Sequence, residues 1–154
     1  MINRKTVLRA ASLAAVALAA TPLLASPADV VKSRIAGLRE LGAAFKAVND
    51  GVRASEPQTI LIQQSARQIR NAATQMADWF PAGSGPQPGV KTAAKPEIWT
   101  QGGRFKAAQT AFASEAVKFQ QIVNSGNIDA IRAEVPKLGA TCKACHENFR
   151  TPST

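Results

Sequence analysis

The chain has two cysteines and one histidine, and all three fall within one pentapeptide, Cys142-Lys143-Ala144-Cys145-His146. On a helix, side chains three residues apart share a face, and the next position turns aside from them. Two thiols so placed can each add across a vinyl group of one porphyrin while the adjacent imidazole reaches its iron. The competing chemistries fit less well. A structural zinc site takes four Cys or His ligands, more than the chain owns. A thioredoxin-like dithiol opens a helix inside an α/β fold, and no strand-like alternation occurs anywhere in the sequence. The pattern therefore predicts one haem c, covalent through two thioethers to Cys142 and Cys145, with His146 as the metal ligand.

Four helical segments are predicted to carry this site. Val31, Ile35, Leu38, Leu41, Phe45 and Val48 recur at steps of three and four, giving a helix over about 27–49, with Ser26-Pro27-Ala28-Asp29 as its start signal. Gly51 and Ala54-Ser55-Glu56-Pro57 break that pattern. It resumes at Ile62, Ile69, Ala73, Met76 and Phe80, and ends before Pro81. Four prolines and three glycines between 81 and 96 predict a long connection over the surface. A third helix holds Ile98, Phe105, Phe112, Phe119 and Ile122, closed by Ser125-Gly126-Asn127. In a fourth, capped by Asn127, the residues Ile128, Ile131, Val135, Leu138, Cys142, Cys145 and Phe149 lie along one seam. An all-α, antiparallel up-down-up-down four-helix bundle buries these faces most economically.

Residues 1–26 have the form of a cleavable secretory signal: basic Arg4 and Lys5, then an Ala/Leu/Val-rich run that is too short to be a stable membrane anchor. Cleavage after Ala17-Leu18-Ala19 or near Ala25 are both compatible with it. The domain then spans 27–154, and the destination is the periplasm, where c-type haem is attached. Of the 19 basic residues, Arg4, Lys5 and Arg9 leave with the signal, so 16 face 10 acidic ones. They are scattered singly, with no basic run and no tyrosine, which speaks against nucleic acid as a partner.

The iron's sixth position is the open chemical question. Electron carriers commonly fill it with methionine. Apart from Met1 the chain has only Met76, at a seam position where packing competes with ligation. An apolar side chain over that position would leave iron five-coordinate and open to small neutral diatomics. No histidine or acid is evident to handle peroxide protons, so an enzyme is not expected.

With its haem motif near the C-terminus, four amphipathic helices and a Pro/Gly-rich connection before the third, the chain resembles the class II c-type cytochromes, most closely the cytochrome c′ family, from Asp29 to Arg150. The resemblance implies that Arg34 lies near a haem propionate and that Leu38, four residues on, covers the distal face. It also implies that Arg150 stands beside the axial imidazole, where it would equally favour the helix C-terminus, and that Phe80 packs near the haem. Six-coordinate relatives carry methionine in the first-helix region, and none stands between Ser26 and Gln75. The implied role is binding of nitric oxide or carbon monoxide. One-electron transfer between periplasmic redox partners through a six-coordinate, low-spin haem is the alternative. Relatives often form homodimers through their first two helices, and Gln63, Gln64 and Arg67 leave that face ambiguous here.

Overall fold

The computed structural model describes residues 26–152; all of the segment assigned to the export signal except Ser26 lies outside them. Helix α1 spans Pro27–Arg53, α2 Thr59–Gln75, α3 Glu97–Thr100, α4 Gly102–Asn124 and α5 Ile128–Phe149. No strand occurs among the described residues. The Ser26 hydroxyl accepts from the Asp29 amide at 3.2 Å, and Pro27 occupies the first turn, where an amide would be unsatisfied anyway. Asn127 caps α5 by accepting from the amides of Asp129 and Ala130 at 3.1 and 3.0 Å.

Three expectations are corrected. The first helix does not stop at Gly51 but runs to Arg53. Gly51 lies at a close crossing with α2, where a Cβ would sit 2.9 Å from Ile62 Cγ1, so the missing side chain serves packing there. The predicted third helix is two: Gln101, at φ −120° and ψ 42°, separates α3 from α4, and Gly102-Gly103 follow. The 81–96 connection is not merely superficial, because Ser84 is buried within it.

Packing is continuous from α1 to α2, α2 to α4 and α4 to α5, whereas α1 and α5 touch only sparsely. Three sides of the bundle are closed and the fourth is open. The main core is built around Val48, Ile62, Ile69, Phe119, Ile131 and Leu138, the predicted seams. A second cluster of Ile98, Phe105 and Phe149 lies at the end where α5 finishes, with Phe80, Trp99 and Cys145 against it.

Glu134 is the charged exception in the interface of α4 and α5, 2% exposed. Lys118 and Lys137 clasp its carboxylate, the latter at 2.8 Å, and these hydrogen bonds hold its pKa down to about 2. Such a depressed carboxylate stabilises the fold above its unfolded pKa, near 4.5, and ceases to do so as pH falls toward 2. Glu134→Gln is expected to cost about 1–2 kcal/mol at pH 7, below the range for fully buried pairs because both lysines reach water. In urea titrations the gap between variant and parent should close between about pH 4.5 and 2; a gap independent of pH would show that the ion pairs are not its source.

Candidate functional site

The open side of the bundle leads to the end where the second cluster sits. There the first half of α1, the end of α2, the start of α4 and the last turns of α5 converge. Arg34, 1% exposed, is the most deeply buried charged residue. Its Nη1 donates to the carbonyls of Trp79 and Ser84 at 3.3 and 3.0 Å and to Ser84 Oγ at 3.0 Å. The guanidinium lies over the rings of Phe80 and Trp99, 4.8 and 5.5 Å from their centroids. Phe80 meets Phe105 edge-on at 4.8 Å, and Phe105 meets Phe149 at 5.1 Å.

Every partner of this cation is neutral, and burial pushes its pKa below the usual guanidinium value. Its Nη2 is buried with no hydrogen-bond partner. An unpaired buried cationic donor costs several kcal/mol and calls for an anionic acceptor. Four residues on, Leu38 stands on the same face of α1 and is 36% exposed, unlike the other apolar residues of that seam.

The connection between α2 and α3 acts as a strap. It feeds its Trp79 and Ser84 carbonyls to Arg34, and the Trp79 indole lies against α1 at Gly37, where a Cβ would come within 2.9 Å of it. At its other end it pairs with the exit of α5: the Lys95 amide donates to Phe149 O at 3.0 Å and the Thr151 amide to Ala93 O at 2.8 Å. Sequence reasoning missed Ser84 and Gly37 as parts of this end. A carbonyl acceptor leaves no trace in residue type.

On α5, Cys142 packs against the main core and Cys145 against the second cluster. Burial pushes both thiols up, and Cys142 raises Cys145 further. That is opposite to the depressed pKa of a reactive redox dithiol. His146 is exposed on the adjacent face. Partial desolvation, and secondarily the charge of Arg150, lowers its pKa, keeping the imidazole neutral near pH 7 and free to ligate metal. Arg150 follows the helix, its amide donating to His146 O at 3.0 Å.

Met76 lies in the main core, 8% exposed, in a short 3₁₀ turn after α2. Its carbonyl accepts from Gln109 Nε2 at 2.9 Å. Packing accounts for this residue.

Arg34→Lys keeps the charge but loses the guanidinium whose Nη1 meets two carbonyls and a hydroxyl and whose plane lies over Phe80 and Trp99. It is expected to lower stability by about 1–2 kcal/mol, read as a lower urea midpoint with an unchanged slope. Parental stability would mean that the strap does not depend on these bonds.

A helical bundle with one open side and a Cys-x-x-Cys-His pentapeptide on its last helix defines the class of four-helix-bundle c-type haem proteins. The sequence profile of the family described as cytochrome C′ matches residues 29–150. Cytochrome c′ of Alcaligenes xylosoxydans xylosoxydans is 30% identical over 124 residues, covering 80% of this chain and 94% of that protein. Cytochrome c′ of Rhodospirillum rubrum is 30% identical over 149 residues, covering 95% and 98%. Among solved structures, a nitric oxide complex of a leucine-to-isoleucine variant of the Alcaligenes xylosoxidans protein superposes with a TM-score of 0.73 at 28% identity, covering 83% of this chain and 98% of that one. The Thermochromatium tepidum cytochrome c′ shares the fold, with a TM-score of 0.78 at 22% identity over 83% of this chain and 98% of its own.

The chain belongs to the cytochrome c′ family, whose members carry a covalent c-type haem. The family comprises gas-binding and electron-carrying proteins, generally periplasmic. No helix among the described residues is long and apolar enough to cross a membrane.

Proposed function

We propose that this protein is a periplasmic gas-binding cytochrome that holds one haem through Cys142 and Cys145, with His146 as the iron ligand and Leu38 covering the opposite face. Bound there, the haem supplies a five-coordinate, high-spin iron with one position open to nitric oxide or carbon monoxide. The observation that carries the reading is the pairing, on one face of α1, of a buried guanidinium with an unpartnered nitrogen and an exposed leucine. Arg34 Nη2 would take a propionate, satisfying the donor that the protein leaves unpaired. Leu38 would lose its exposure against the ring and exclude water and charged ligands from the open position. His146 would offer its lone pair to iron, and the positive charge of Arg150 beside it disfavours the imidazolium. Met76 is committed to the core, which supports an apolar rather than a sulfur-ligated distal side. Residues 1–26 would direct export and be removed.

The test is an absorption spectrum of protein matured in cells that attach haem c, oxidised and reduced, before and after nitric oxide. High-spin bands that shift with the gas are expected. A sharp low-spin reduced spectrum unaffected by it would instead identify a six-coordinate electron carrier.

A further inference from the structure

The open side of the bundle continues past the haem end. Phe45 Cζ lies 3.2 Å from where a Cβ on Gly139 would be, and this contact closes the opening one helical turn from Cys142. Beyond it, between the second half of α1 and the first half of α5, is a separate cavity of about 510 Å³, within the size range of small-molecule sites. Its walls are the apolar surfaces of Phe45, Val52, Val135 and Pro136. Pro136, inside α5, presents its ring to this wall and has no amide to donate.

The polar lining residues are Asn49, one turn of α1 from Phe45 and midway along the trough, and the two arginines Arg53 and Arg132, where α1 ends and α5 begins. Arg132 is fixed across the gap: its Nε donates to Val52 O at 2.9 Å and its Nη1 pairs with Asp129 at 3.1 Å. Arg53 is exposed and makes no ion pair among the described residues. No carboxylate lines the cavity. An apolar trough with a guanidinium head complements one chemistry, a hydrocarbon chain ending in an anion. We propose that this cavity binds a single-chain amphipathic carboxylate, its chain between Phe45, Val52, Val135 and Pro136 and its carboxylate on Arg53 and Arg132. A cationic amphiphile would be repelled, and a neutral one would leave the arginines unused.

The test is calorimetric titration of the haem-loaded protein with dodecanoate below its micellar concentration, with dodecyltrimethylammonium and dodecanol as controls. One dodecanoate per chain is expected, with neither control matching it. Arg53→Gln should weaken binding about tenfold, the loss of one charge-assisted contact. Asn49→Phe, which fills the trough, should abolish it. Both variants should keep the parental absorption spectrum, so failure here is distinct from failure of the haem site. Absence of binding, equal binding of the controls, or dodecanoate affinity unchanged in both variants would overturn the proposal. So would co-sedimentation with phosphatidylglycerol vesicles in place of one-to-one binding, which would point to a lipid surface as the source of the anion.

Discussion

Serine at both Cys142 and Cys145 is expected to yield protein from which acidified organic solvent removes all the haem, leaving a mass equal to the bare polypeptide. A serine hydroxyl does not form the thioether that a thiol forms at a vinyl carbon, so no covalent tether remains. Retention would then fall to the proposed contacts of His146 and Arg34 and to apolar contact, all reversible. The raised pKa values of the two thiols indicate that neither is shaped for thiolate chemistry of its own, and their partial burial places them against the two hydrophobic clusters. Loss of the ligand also removes its stabilisation of the native state, which scales with the logarithm of occupancy. The double variant should therefore melt well below the parent, and Arg34 Nη2 should again be an unpaired buried donor. Haem that survives extraction from this variant would refute attachment at the pentapeptide.

The helices were legible in the sequence because their cores follow the 3.6-residue period closely, down to Ile131, Val135 and Leu138 on α5. The pentapeptide stood out because it holds all of the chain's cysteine and histidine. What escaped was set by tertiary contact. Gly51 reads as a helix break by propensity, yet the crossing with Ile62 makes a missing side chain an asset. The 81–96 segment reads as surface from its prolines and glycines. Its backbone carbonyls are nevertheless the acceptors of Arg34, and no residue type encodes a carbonyl's direction. Family resemblance implied only that Arg34 lies near a haem propionate; its burial was not legible, since an arginine on a first helix is ordinarily a surface charge.

Leu38→Ala is expected to speed carbon monoxide association with the reduced protein by about ten- to a hundredfold, equivalent to removing about 1.4–2.8 kcal/mol of barrier. If Leu38 covers the open coordination position, an entering diatomic must first displace its isobutyl group. Alanine leaves little to displace. Leu38 is one turn of α1 beyond Arg34, whose guanidinium is tied to Trp79 and Ser84, so the helix that carries the leucine is fixed and the barrier resides in the side chain rather than in backbone motion. Two accompanying results separate a gate from a general loosening of the site. The alanine variant should keep the parental spectrum before gas is added, because the substitution leaves the proposed ligand His146 untouched. Leu38→Phe, which enlarges the cover on the same rigid helix, should move the rate in the opposite direction. A rate insensitive to both substitutions would remove Leu38 from the path of the ligand.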